Sequence, residues 1–188
     1  MDIISGFSSF LFTIMQLYFI CIPNHIRVRL FVLSVNSSIY HIVEYNHMQN
    51  LVYAQWMDGV GIILVCNAFL LPPRYVSITA LDILTILLHT VFKLRLNDES
   101  IKKIMYMAVF IKMGYQCPVS AIPFLCGMCG YLHSIYCNSW NHFNRTIWHM
   151  GNAMFIGFSS NCLHSLECFT PFLISNAQFE TRFINNSS

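Results

Sequence analysis

Ser37 and His41 stand four residues apart in Asn36-Ser37-Ser38-Ile39-Tyr40-His41, so on a helix they share one face. Glu44 follows three residues later, near that face and closer to the helix end. Asp58 opens the next apolar run. His149 falls in the first turn of the last one, with Arg145 four residues before it on the same face. Neutral imidazoles that converge with a carboxylate are what a zinc centre uses: nitrogen ligands, and an acid to hold or activate a water. Asp82 and His89, seven apart with Thr85 nearby, make a second polar face and read as a pair formed across a bundle. Plainer readings stand beside these. A membrane histidine is commonly a hydrogen-bonded packing residue, and Ser37 could bond a carbonyl of its own helix. Cys126-x-x-Cys129 has redox or metal spacing, but it lies in an apolar run with no second pair and reads as packing.

The elements that carry these residues are apolar runs, and runs of about 17–25 residues can cross a bilayer. The first, residues 3–22, has no charge and only Asp2 before it, so it reads as a first span and not as a cleaved signal peptide. A short basic turn (His25, Arg27, Arg29) precedes the second run, about 30–45. The third covers about 56–71 and stops at Pro72-Pro73-Arg74. The fourth covers about 75–92, before a charged loop from Lys93 to Lys103. The fifth, about 104–116, is interrupted by Lys112, whose ammonium can snorkel to an interface. The sixth covers about 117–137, and the seventh about 146–163, beyond a polar loop. A short polar tail follows, with an Asn185-Asn186-Ser187 sequon. The expected fold is all-α: a polytopic membrane protein of about seven transmembrane helices forming one domain over residues 1–188. In that topology the end of the second span and the starts of the third and seventh lie on one side. His41, Asp58 and His149 can then occupy one depth.

Composition supports the bilayer. Of 188 residues 56% are hydrophobic and 10% charged, with a mean hydropathy of +0.56. A soluble domain carries about 25% charged residues; a surface covered by so few would leave large apolar patches. Sixteen Phe, nine Tyr and three Trp suit lipid-facing surfaces and interfacial belts. The net charge of +2 comes without a basic run, so nucleic acid is not an expected partner. The expected surroundings are membrane lipid. The positive-inside rule sets Lys93, Arg95, Lys102, Lys103 and Arg145 against Arg27, Arg29, Arg74 and Lys112, and leans to the first group as cytoplasmic.

These residues resemble a known pattern. Ser37-x3-His41 has the Ser-x3-His spacing of the seven-helix membrane hydrolase superfamily of alkaline ceramidases, progestin and adipoQ receptors, Per1-like lipid remodelling proteins and myomaker-like proteins. Met57-Asp58-Gly59-Val60-Gly61-Ile62 is similar to the start of that superfamily's third helix. Thr146-Ile147-Trp148-His149-Met150 is similar to the second half of its His-x3-His motif. The compact layout is most similar to the myomaker-like branch. The resemblance implies zinc held by three histidines, and hydrolysis of a lipid amide or ester by metal-activated water. His41 and His149 would be ligands, Asp58 would orient or deprotonate the water, and Ser37 would support the site.

One position departs from the pattern: Arg145 stands where the first histidine of the pair belongs. A guanidinium has no lone pair to give a metal and instead suits a lipid phosphate or carboxylate. His142 is a substitute ligand, though seven residues from His149, about 10.5 Å along a helix. His47 and Glu44 are others. The leading expectation is therefore an intramembrane lipid hydrolase with a zinc site. A non-catalytic relative acting in membrane remodelling or assembly is the alternative, and a seven-helix receptor a further one.

Overall fold

Helix boundaries follow local signals wherever the chain carries them. In the computed structural model, residues 22–45, 50–71, 78–137 and 146–162 are described, together with Phe10, Leu11, Ile14, Phe143 and Asn144. The regular structure of these residues is entirely helical. Helix α1 spans Asn24–Tyr45 and α2 Leu51–Leu70. Helices α3, α4 and α5 span Ala80–Leu96, Ser100–Gln116 and Pro118–Tyr136, and α6 covers residues 146–162. Thr79 starts α3 with a reciprocal capping box to Asp82, and Asn97 ends it in the left-handed conformation at φ 50°, as such caps require. Pro118 is the first residue of α5, a position that needs no N–H. Of the run read at 3–22 only Phe10, Leu11, Ile14 and Ile22 are described, and the prolines at 72–73, most of the polar loop at 138–144 and the C-terminal tail lie outside the described residues.

Several boundaries differ from the sequence reading: α1 starts at Asn24 and not near 30, α2 at Leu51 and not near 56, α3 runs Ala80–Leu96 and not about 75–92, and α4 starts at Ser100 and not near 104. Helix α1 begins at Asn24, so His25, Arg27 and Arg29 belong to a helix and not to a turn. The helix extends because Arg29 has a buried partner, Asp82 of α3. Lys112 lies within α4, where its Nζ donates to the carbonyls of Phe69 (2.7 Å) and Leu70 (3.3 Å). It caps the C-terminal end of α2, where carbonyls lack intrahelical partners.

Helix α2 packs against α1, α3 and α4, while α4 also meets α3 and α5. The apolar core runs through Leu30, Leu33, Val65, Phe69, Met113 and Phe155. Helices α5 and α6 approach closely at glycines. A Cβ on Gly151 would stand 2.6 Å from the Pro123 carbonyl oxygen and 2.7 Å from Gly127 Cα, so no side chain fits that crossing.

Two helices, α3 and α1, bury polar side chains and expose apolar ones. The buried residues of α3 are Asp82, Thr85, His89 and Lys93, spaced along one face. Its exposed side chains include Ile83, Leu84, Leu87, Leu88, Val91 and Leu94. On α1, His25, Arg29, Ser34, Ser37, Ser38 and His41 are buried, while Val28, Phe31, Ile39 and Ile42 are exposed. Among the described residues one helix, Leu51–Leu70, is by itself long and apolar enough to cross a membrane.

Candidate functional site

Helix α1 delivers Ser37 and His41 on its buried face, α2 delivers Asp58 about two turns in from Leu51 and not at its opening, and α6 delivers His149 in its first turn. Chain direction puts the C-terminal half of α1 beside the N-terminal ends of α2 and α6. His41 Nε2 faces His149 Nε2 at 3.4 Å, with the ring centroids 5.1 Å apart. Both imidazoles and Asp58 are buried. Ser37 hydrogen-bonds the Asp58 carboxyl, which also lies within the field of Lys102 and His41.

The other nitrogen of His41 is oriented by a residue of its own helix. Glu44 Oε2 lies 3.4 Å from His41 Nδ1, and the Tyr40 hydroxyl donates to Glu44 Oε1 at 3.1 Å. A carboxylate on one ring nitrogen holds the proton there and leaves the other lone pair bare. Glu44 thus stands behind His41, not between the two histidines. As a substitute ligand it points the wrong way; as an orienting group it is well placed. Its spacing of three from His41 was the available signal.

The geometry of the nitrogen pair bears on zinc. Two Zn–N bonds of about 2.0–2.1 Å at a tetrahedral angle separate their nitrogens by roughly 3.3–3.4 Å. The His41–His149 separation matches that. A catalytic zinc usually takes three protein ligands, and among the described residues no group of three or more His, Cys, Asp or Glu side chains converges to hold a metal. His142, Arg145 and His47 lie outside the described residues. His41 and His149 thus offer two nitrogen donors, at a separation that a hydrogen bond between the rings also explains.

The second polar face resolves differently. Asp82 does not pair with His89: it accepts two parallel hydrogen bonds from Arg29 (Nη1 to Oδ1 and Nη2 to Oδ2, both 2.9 Å). Asn67 Nδ2 adds a bond of 2.9 Å, and the Thr79 backbone N–H one of 2.8 Å. Arg29 also donates to the Leu64 carbonyl at 2.8 Å. This network lies at the opposite end of the bundle from the histidines, near the start of α1 and the end of α2. His89 is buried against Gly59, the neighbour of Asp58. Neither of its ring nitrogens has a hydrogen-bond partner among the described residues. Nothing in the sequence marked Arg29 as the partner of Asp82, except that a cation inside an apolar helix needs a counter-charge.

The other end of α3 carries a charged turn. Lys93 Nζ donates to Asn97 Oδ1 at 3.1 Å and Glu99 Oε1 at 3.2 Å, while Lys102 pairs with Glu99 Oε2 at 3.0 Å. Burial pushes the Glu99 carboxyl up, yet Lys102 and then Lys93 outweigh it and hold the carboxyl below its usual range.

Comparison of the chain with protein-family models, with curated proteins and with solved structures returned no match.

Proposed function

We propose that the chain is a multi-pass membrane protein whose helix ends form a hydrolytic centre for a lipid amide or ester. The carrying observation is the 3.4 Å apposition of His41 Nε2 and His149 Nε2. The buried Asp58–Ser37 pair supports it from α2. The polarity of α1 and α3 supports the membrane reading: apolar side chains exposed on the same helices that bury Asp, Arg, His and Lys suit hydrocarbon as their solvent.

In this reading His41 and His149 hold zinc, which when bound supplies Lewis acidity to the carbonyl or to a water. Glu44 keeps the His41 proton on Nδ1 and so keeps Nε2 available. Asp58 accepts a proton from the attacking water and returns it to the leaving group. Ser37 holds the Asp58 carboxyl in place. The surrounding helices exclude bulk water, which strengthens each of these interactions.

A second reading has its own observation. The described residues offer two nitrogen donors and no third ligand, as expected of a non-catalytic relative in which a shared proton links the two histidines. One experiment separates the readings. Zinc is measured in detergent-purified protein, wild type beside His41→Ala and His149→Ala, and the same samples are assayed on lipid amides and esters. About one zinc per chain, lost in both variants together with cleavage, is the expected outcome. A folded wild type without zinc or cleavage sinks the hydrolase and leaves the structural pair.

A further inference from the structure

Helix α5 is followed directly by Cys137, one turn above His133 on the same face. Cys137 Sγ lies 3.5 Å from His133 Nε2. On the far side of the ring, His133 Nδ1 lies 3.2 Å from Asn144 Oδ1. Asn144 is buried just before α6, whereas Cys137 and His133 are exposed. An amide oxygen only accepts, so Nδ1 carries the ring proton and the Nε2 lone pair is directed at the thiol. A thiol beside a base that a third group orients is an activated nucleophile. These three residues share none with the His41–His149 centre.

The surroundings indicate what such a thiol would take. Leu132, Tyr136 and Phe143 are exposed apolar side chains near the thiol in sequence. Leu125, Leu132 and Tyr136 recur at spacings of seven and four, so they continue one apolar stripe along α5. An electrophile with a hydrocarbon tail could react at Cys137 and lay that tail along the stripe. A small polar electrophile would gain nothing from it.

We infer that Cys137 is an S-acylation site that accepts a fatty acyl group from an acyl thioester, with His133 as its base and Asn144 as the residue positioning His133. His133 Nε2 takes the thiol proton as Cys137 Sγ bonds to the acyl carbonyl carbon. The bond from that carbon to the donor sulfur then breaks, and the leaving thiolate receives the proton from His133. The products are a protein thioester and a free thiol, and no oxidant or reductant takes part.

The test incubates the full chain in detergent with a long-chain acyl-coenzyme A bearing a terminal alkyne. Hydroxylamine-labile label is mapped to peptides and its initial rate followed, with circular dichroism reporting folding. The expected result is label on Cys137, lost in Cys137→Ser and unchanged in Cys126→Ser and Cys129→Ser. His133→Gln slows labelling by roughly a hundredfold, the scale of a lost general base. Asn144→Ala also slows it, and Asn144→Asp, which still accepts from Nδ1, restores it. Label on Cys126 or Cys129 instead, a wild-type rate in His133→Gln, or a folded wild type that takes no label would each overturn the assignment. Zinc removal leaves the labelling rate unchanged, which keeps this result separate from that of the hydrolytic centre.

Discussion

His41 is gripped from both sides: Glu44 at Nδ1 and His149 at Nε2, each at 3.4 Å. That division of its two nitrogens sets separate predictions for its neighbours. On the proposed zinc reading, Glu44→Gln removes the charge that holds the tautomer and lowers zinc affinity about 10–100-fold, measured by competition with a chelating dye. On the same proposal, Asp58→Asn keeps the shape and the Ser37 hydrogen bond but removes the proposed base, so kcat should fall roughly 10²–10⁴-fold without loss of zinc. Unchanged turnover in Asp58→Asn would remove Asp58 from the chemistry. The faces carrying Ser37, His41 and Glu44 were legible as spacings of four and three within one helix. The bare His89 was not, because its burial follows from contact with Gly59 of another helix.

At the scale of elements, the start of α5 was legible at Pro118, whereas the caps at Thr79 and Asn97 lie several residues beyond the bounds of about 75 and 92 read for the fourth run. The start of α1 was misread where charges seemed to form a turn, because Arg29 is satisfied by Asp82 of another helix; Lys112, read inside the fifth run, is satisfied by a carbonyl of α2. The turn between α3 and α4 adds a pH dependence. Glu99 is held below its usual value by Lys102 and Lys93 against the push of burial, so its folded pKa lies below its unfolded one. Its contribution is fully present above the unfolded value and is lost as pH falls through the folded one. Amide exchange in residues 97–100, corrected for intrinsic rates, should therefore rise as pH drops below about 4.5, the ordinary value for Glu. Glu99→Gln should show that exchange already at neutral pH. A turn whose protection ignores both would show that the ion pairs do not hold it.

At the scale of the whole molecule, among the described residues, α1 and α3 bury Arg29, Asp82, His89 and Lys93 and expose Val28, Phe31, Leu84 and Leu88. The Arg29–Asp82 pair joins α1 to α3 at the end opposite the histidines. Removing one partner strands the other, and Arg29→Ala or Asp82→Ala should each lower unfolding stability by about 3–5 kcal/mol. The double replacement Arg29→Met with Asp82→Leu should recover much of that loss, measured by thermal unfolding in detergent. Additive losses would show that the two act apart. The exterior makes a prediction of its own. Cysteines placed at Leu84 and Leu88 should react with lipid-phase reagents and resist water-soluble ones, whereas one placed at Asp98 should do the reverse. Aqueous labelling at Leu84 and Leu88 would contradict the bilayer reading.

The lengths of the apolar runs carried the all-helical expectation, which the described residues show, and composition carried the proposal of an apolar solvent, since it depends on residue types summed along the chain. Periodicity determined which polar side chains share a face, because a helix repeats every 3.6 residues whatever it packs against. Tertiary structure decided which faces meet. That His41 finds His149, that Asp82 takes Arg29 and not His89, and that Lys112 caps α2 depend on how helices distant in sequence cross. Those crossings are selected by buried charge pairing and by the clearance that glycines such as Gly151 provide, and no local signal encodes either.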